Sequence, residues 1–486
     1  MANVKKTMLS VDGNTAAAYV AYAFSENLFI YPITPATPMS ALCDLWSAQK
    51  KPNAFGDLPQ VIEMQSEIGV AGAVFGSLCC GALTGTFTTS QGLMLMVPAM
   101  YQIAGAVLPT VFHIAARSVA HNSLSVYAEH ADVYATRQTG FCMLASSSVQ
   151  ECMDLALVAH LGALKQSTAY LHFFDGFRTS HEIQNVEFVD EEEYRKLLDM
   201  KKVEEFRARA LNPHTHPVTR GGAENDDIYF QTREAQNEHY NHVVEVAEKY
   251  FAKASELSGR TYAPFVYVGA KDAERVIVAM GSVTETACEV IEELAKKGEK
   301  VGLVKVHLYR PFSAKHLVKV LPASVKKIAV LDRTKEMGAA GEPLYLDVVA
   351  ALAQEGRSDI AVYGGRYGLS SKDTQPKDVK AVYDFLNNNP HHNFTVGIND
   401  DLTHLSIPVD DNFQVEADYK SCLFYGLGSD GTVSANKSSI KIIGDATHQY
   451  AQAYFQYDSR KAGGVTRSHL RFGKTPIRST YYVGNA

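Results

Sequence analysis

Four stretches of the 486-residue chain place reactive or ligand-binding residue types at informative spacings. In YPITPATP (31–38), three prolines at every third position follow the apolar run Leu28, Phe29, Ile30, and Thr34 lies between two of them. Each proline fixes its own φ and pushes the preceding residue to extended geometry, so Thr34 sits on a stiff backbone where a buried strand ends. Ligands of open α/β sheets bind at that carboxyl edge, and a hydroxyl held there donates a hydrogen bond with little reorganisation. The blander reading is a proline-stiffened helix entry. EMQSEIGVAGAVFG (63–76) sets Glu63 and Glu67 ahead of a helix whose Gly69, Ala71, Gly72, Ala73 and Gly76 admit a close neighbour. A carboxylate there either interacts with the helix dipole or is a buried functional acid, and spacing leaves both open.

Arg117 follows the strand pattern TVFHIAAR and stands at a carboxyl edge in a polar loop, where a guanidinium suits planar capture of a carboxylate. His113, His121 and His130 are spaced eight and nine residues apart, which matches no metal site, so ordinary polar contacts are expected of them and of His214 and His216. YGLGSDGTVSANK (425–437) is a glycine-rich loop ahead of a helix, a form whose backbone N–H groups cradle phosphates, although GxxxxGK[ST] is absent. Arg460, Lys461, Arg467, Arg471 and Lys474 follow, enough positive charge for a multiply phosphorylated ligand; a solvated basic face is the alternative.

The elements that must position these residues alternate. A helical NTAAAYVAYAFSE is followed by the strand LFIYP and the helix TPMSALCDLWSAQKK, with Thr37 as N-cap and Pro38 at the first helical position. QVIEM, ALTGTFTTS and TVFHIAAR read as strands separated by helices, an order that implies a parallel sheet covered on both faces. Residues 183–262 are charged, helical or turn-like and read as an excursion that wraps the surface. A second α/β unit starts with the strand ERVIVAMGS and the helix VTETACEVIEELAKKGEK; its connection lacks GxGxxG, which disfavours a dinucleotide fold. The expected organisation is α/β throughout: domains 1–258, 259–410 and an incomplete 411–486, the last ending in a strand-like PIRSTYYVGNA.

Composition narrows the function classes. The chain is 46% hydrophobic and 20% charged, as a globular protein is, and its net charge of -7 without a Lys/Arg cluster argues against nucleic acid. Seven cysteines with no CxxC indicate a reducing compartment and provide neither a disulfide framework nor a cluster motif. No signal peptide is read at the N-terminus, so a cytoplasmic protein is expected. The apolar stretch 93–112 is interrupted by Pro98 and Pro109 and reads as a buried helix followed by a strand rather than a membrane span.

In order, YPITPATPM, EMQSEIGVAGAVFG, ATRQTGF, ERVIVAMGS, VLDRTKE, GEPLYLDV, GLGSDGTVSANKSSIKIIGD and GGVTRSHLRFG resemble the pyruvate:ferredoxin (or flavodoxin) oxidoreductase family along the whole chain. The resemblance implies a pyrimidine-binding domain for thiamine diphosphate, a transketolase C-terminal-like domain and the start of a coenzyme A-binding domain. It implies oxidative decarboxylation of pyruvate, with Mg2+ and [4Fe–4S] clusters as further cofactors, ferredoxin or flavodoxin as electron acceptor, and a homodimer. Carried onto this chain, Thr34 would contact substrate, Arg117 would hold its carboxylate, and Glu67 would hydrogen-bond the aminopyrimidine ring of the cofactor. Gly428, Ser429, Asp430, Gly431 and Thr432, with Arg460 or Lys461, would contact the phosphates of coenzyme A.

Ala36, Thr37 and Ile68 depart from residues common in the family, which opens the question of a reshaped pocket wall. The cluster cysteines and the GDG…N element that holds magnesium are missing, so no metal site is expected in this chain, and the resemblance implies either a truncated chain or a part supplied by a second polypeptide. Two rivals differ in what they predict. A non-redox thiamine transferase or decarboxylase subunit would reduce no ferredoxin or viologen, and a non-catalytic interaction module would tolerate Arg117→Ala and Glu67→Gln. A hydrogenosomal location is the alternative to the cytoplasm.

Overall fold

The computed structural model describes residues 5–218, 220–400, 402–458 and 463–484. Three sheets organise it. The first has seven strands in the order Leu308–Arg310, Cys142–Ser146, Ala169–Asp175, Thr110–Ala116, Thr84–Thr88, Asn27–Ile30, Gln60–Glu63. All pair in parallel except Leu308–Arg310, which is antiparallel to Cys142–Ser146. Its central strands are buried at every position, as expected where helices cover both faces, and this explains why their sequences show no apolar/polar alternation.

The second sheet has six strands, in the order Phe394–Thr395, Ala361–Arg366, Lys327–Asp332, Arg275–Ala279, Val301–Val306, Phe265–Gly269, parallel except for the last. The amphipathic helices Val283–Lys296 and Pro376–Asn387 pack Val290, Leu294, Val382 and Leu386 against it. The third sheet is antiparallel and five-stranded: Lys6–Asp12, Ile183–Val189, Tyr450–Gln456, Val465–Gly473, Tyr419–Leu427.

Three strands lie across the boundaries expected from sequence. Leu308–Arg310 adds an edge to the first sheet, and Lys6–Asp12 with Ile183–Val189 joins the sheet built by residues 419–473. The stretch 183–262 therefore begins inside a sheet, with Val186 fully buried, before its helices run over the surface. These pairings join residues far apart in sequence, as in Lys6 with Val189 and Leu308 with Leu144, and no local period reports them.

Two local expectations are corrected. The helix Thr37–Ala48 has Ala36 as N-cap and no side-chain cap, because the Ile33 carbonyl already accepts the N–H groups of Ala36 and Thr37. The C-terminal PIRSTYYVG forms no strand. Its backbone groups are taken by side chains instead: Arg471 donates to the Ser479 and Tyr481 carbonyls, and the Val483 N–H donates to His469. The stretch 93–112 is the helix Ser90–Gly105 followed by the strand Thr110–Ala116, and no helix among the described residues is long and apolar enough to cross a membrane.

Candidate active site

Thr34 and Arg117 meet at the carboxyl edge of the first sheet. Thr34 follows the strand Asn27–Ile30 in the proline turn, whose Thr34–Pro35 peptide is cis, and Arg117 follows Thr110–Ala116. The Arg117 guanidinium donates to the Thr34 carbonyl at 2.7 Å and reaches the Gln91 side-chain oxygen at 3.5 Å. Its Nε is buried without a partner, so the group retains donor capacity. Burial lowers the Arg117 pKa from its ordinary value, and the Asp132 carboxylate opposes that shift. Thr34 is exposed, and its hydroxyl makes no hydrogen bond among the described residues. The turn is pinned from beneath: buried Asn14 donates to the Pro35 carbonyl at 3.0 Å. Gly176 lets it sit close, because a Cβ there would meet the Ala116 carbonyl oxygen at 2.6 Å and Pro35 Cγ at 2.9 Å.

Of the two acids that spacing could not separate, Glu63 is exposed and Glu67 is 7% exposed. Ser66 caps the helix Glu67–Cys79 through the Gly69 N–H, which places Glu67 in the first turn without need of its side chain as a cap. Its carboxylate makes no hydrogen bond or ion pair among the described residues. It lies over Gly92 in the helix Ser90–Gly105, where a Cβ would stand 2.6 Å from Glu67 Oε1 and 2.7 Å from Thr88 Oγ1. Thr88 Oγ1 is itself buried and unpartnered. Gly92 thus makes room for the carboxylate itself, and an acid on a largely buried side chain with no protein partner fits a ligand that brings a hydrogen-bond donor, as an aminopyrimidine does.

Sequence reasoning missed Asn14, Gly92 and Asp132, which arrange these groups. It also missed the ionic tie beside them. Asp175, paired in register with Ala116, bonds His130 at 2.7 Å, Arg333 at 2.7 Å and the Ser282 N–H at 2.9 Å, and so joins the first sheet to the second. Burial alone would raise the Asp175 carboxyl; Arg333, then His130, overcome it and hold the group below the usual carboxylate range. The only sequence signal was Asp175 ending an apolar strand pattern.

The glycine-rich loop lies on the third sheet, between the strand Tyr419–Leu427 and the helix Thr432–Ala446, and among the described residues it makes no hydrogen bond to Thr34, Glu67 or Arg117. Ser429 and Gly431 have left-handed backbones, and the Gly428 N–H donates to the Gly464 carbonyl. Asp430 turns onto the loop and accepts the N–H groups of Leu427 and Thr432, each at 2.8 Å, so those two donors are already used. Arg460 and Lys461 lie outside the described residues. Of the residues that depart from family usage, Ala36 is buried in the core and Ile68 is exposed on the outer helix face.

Three family models match the chain in order. "Pyruvate flavodoxin/ferredoxin oxidoreductase, thiamine diP-bdg" covers residues 19–252, "Pyruvate:ferredoxin oxidoreductase core domain II" covers 273–379, and "Pyruvate ferredoxin/flavodoxin oxidoreductase" covers 421–486. The chain belongs to the pyruvate:ferredoxin (flavodoxin) oxidoreductase family. It is 58% identical over 483 residues to the pyruvate:ferredoxin oxidoreductase of Moorella thermoacetica, and 56% identical over 485 residues to the pyruvate-flavodoxin oxidoreductase of Enterobacter agglomerans. Those alignments cover 98% and 99% of this chain and 41% of each relative, so the chain spans about two fifths of the length of the curated relatives it matches. Among solved structures, a 2-oxoglutarate:ferredoxin oxidoreductase from Magnetococcus marinus, with 2-oxoglutarate, coenzyme A and succinyl-CoA bound, superposes with a TM-score of 0.59 at 17% identity. The match covers 79% of this chain and 66% of that one and shows a shared fold.

Proposed function

We propose that the chain supplies the substrate-carboxylate clamp and the pyrimidine side of a thiamine diphosphate site in an enzyme that oxidatively decarboxylates pyruvate. Coenzyme A is the acetyl acceptor in this reading, and ferredoxin or flavodoxin takes the electrons. One observation carries it: a buried guanidinium with spare donors, fixed on the Thr34 turn, stands at the same sheet edge as a buried carboxylate that has no protein partner.

The chemistry that a bound thiamine diphosphate supplies is a nucleophilic carbon and an electron sink for loss of CO2. Arg117 binds and orients the pyruvate carboxylate, as its planar fork suits. Thr34 donates its free hydroxyl to the substrate from a backbone that is already fixed. Glu67 accepts the hydrogen bond of the pyrimidine ring and holds a proton there. On the third sheet, the loop is read as facing phosphate groups of coenzyme A through Ser429 and Gly431, since the N–H groups of Gly428 and Thr432 are taken by Gly464 and Asp430; Asp430 shapes the loop, and Arg460 or Lys461 adds charge.

Around Glu67 the strand Gln60–Glu63 leaves Ile62 exposed and the helices leave Ile68, Met94 and Leu95 exposed, and nothing lies within 4 Å of a Cβ placed on Gly72 or Gly76. Such a face suits the module that holds the diphosphate end of the cofactor, either the family's remaining domains or a second copy in a homodimer. No cluster of three or more His, Cys, Asp or Glu among the described residues is arranged to hold a metal. Mg2+ and the [4Fe–4S] clusters therefore fall to those remaining domains in this reading, and a cytoplasmic location goes with it. The test is anaerobic reduction of methyl viologen by the purified complete protein. Reduction that requires both pyruvate and coenzyme A is expected; pyruvate decarboxylation with no viologen reduction would favour a non-redox transferase.

A further inference from the structure

Asp132 is fully buried in the short helix Ala131–Ala135, yet its carboxylate serves residues on two other loops. Oδ2 accepts the Arg117 N–H at 3.0 Å and the Ser90 N–H at 2.8 Å, with the Thr89 hydroxyl at 3.5 Å; Oδ1 accepts the Val133 N–H at 2.8 Å. Ser90 and Arg117 follow adjacent strands, Thr84–Thr88 and Thr110–Ala116, at the carboxyl edge where Thr34 also lies.

Ser90 is held at φ +50, in the left-handed region, where a residue with a Cβ is uncommon without support. Two bonds supply that support. Its N–H meets Asp132, and its hydroxyl lies between the Ser118 carbonyl at 2.6 Å, one residue beyond Arg117, and the Gln91 side-chain oxygen at 2.5 Å. The next residue, Gln91, presents its side-chain oxygen to the Arg117 guanidinium. The direction in which Arg117 points is thus fixed at both ends, by Asp132 at its backbone and by the Thr34 carbonyl and Gln91 at its guanidinium.

We infer that Asp132 is a positioning residue for the substrate carboxylate: it binds the loops after Thr84–Thr88 and Thr110–Ala116 into one frame, from which Arg117 projects. The inference rests on the reading of Arg117 as the carboxylate clamp. An uncharged side chain of the same shape would keep one strong acceptor and lose the charge that gathers three donors. The frame would then relax, and Arg117 would lose alignment with a ligand it must meet through two parallel bonds.

The experiment measures binding of oxamate, an unreactive isostere of pyruvate, to the complete holoenzyme by calorimetry, alongside KM and kcat for pyruvate. Asp132→Asn is expected to raise the oxamate Kd and the pyruvate KM together, by about tenfold, with kcat within about threefold of wild type. Asp154→Asn is the control for a merely structural loss. That carboxylate is also buried but bonds Tyr262 and Arg260 away from the clamp, so its variant is expected to lose thermal stability and keep oxamate affinity. An Asp132→Asn protein with unchanged oxamate Kd, while Arg117→Ala binds oxamate weakly, would overturn the inference and leave the clamp standing. Unchanged Kd in Arg117→Ala would overturn the clamp, and the inference with it. If Asp132→Asn does not fold, Ser90→Ala decides: it keeps the carboxylate and removes the hydroxyl ties to Ser118 and Gln91 that hold the two loops together, so a Kd raised several-fold supports the frame and an unchanged Kd overturns it.

Discussion

Arg117 donates from its guanidinium to the backbone carbonyl of Thr34 at 2.7 Å, across the strand Thr84–Thr88 that separates their own strands in the sheet. The bond ties the clamp to the proline turn. In the proposed reading, a substrate held by Arg117 would meet the Thr34 hydroxyl at a distance set by the protein before binding. Neither residue alone fixes that geometry.

Glu67→Gln is expected to lower kcat by about two to four orders of magnitude, with pyruvate KM changed little, because a proton held at the cofactor ring belongs to the chemical step. Steady-state kinetics of the complete enzyme check this. Loss of affinity for pyruvate with kcat preserved would move Glu67 out of the reading.

Gly92→Ala tests the space kept for that acid. A Cβ would stand 2.6 Å from Glu67 Oε1, so the carboxylate has to move while the backbone stays in place. Thiamine diphosphate affinity is expected to fall about tenfold or more, with far-ultraviolet dichroism unchanged. Equal affinity for the cofactor in the two proteins would show that the position of Glu67 does not matter.

Asp175 carries a stability prediction. Asp175→Ala leaves Arg333 buried without its anion, a loss of about 3–5 kcal/mol that lowers the melting temperature by roughly 5–15 °C. The sign with pH follows from the direction of the shift. A carboxyl held below its usual range stabilises the fold above the unfolded value, near pH 4, and that contribution is lost as pH falls through the lower folded value. The melting-temperature gap between wild type and variant should therefore be wide at neutral pH and narrow in acid.

A chain of buried imidazoles gives a dependence of the same sign at milder pH. His113 Nδ1 lies 2.9 Å from His172 Nδ1, His113 Nε2 lies 3.0 Å from His160 Nε2, and His172 Nε2 lies 2.8 Å from Ser146 Oγ. Burial pushes His113 down to about 3 and lowers His160 and His172 as well, so all three are neutral in the fold. Below about pH 6.5 the unfolded chain gains protons that the folded chain does not, and each imidazole takes away about 1.4 kcal/mol per pH unit. His160→Phe removes one of them. Its stability deficit against wild type should shrink on acidification from pH 7 to pH 5; a deficit that stays constant would show that His160 titrates alike in both states.

What was legible in the sequence was local. Proline spacing located the turn of Thr34, and the end of an apolar run located Arg117, because strand ends and φ restrictions are written in consecutive residues. The choice between Glu63 and Glu67 was not legible: both precede the same helix, and only the packing of the helix Ser90–Gly105 buries one of them. Asp132 looked like one more polar residue in a loop, since the N–H groups it accepts belong to residues 15 and 42 positions earlier. The third sheet escaped for the same reason. Lys6–Asp12 buries only Ser10 and lacks a clean alternation, and its partner Ile183–Val189 lies beyond all but the edge strand Leu308–Arg310 of the first sheet in sequence.

The most direct measurement is the pyruvate KM of Arg117→Ala in the complete enzyme, assayed anaerobically with saturating coenzyme A and methyl viologen. Loss of a charge-assisted pair to the substrate carboxylate is expected to raise KM by about 10- to 100-fold, with a much smaller effect on kcat. Near-normal KM and kcat would contradict the account, because a guanidinium built into the Thr34 turn would then have no part in holding pyruvate.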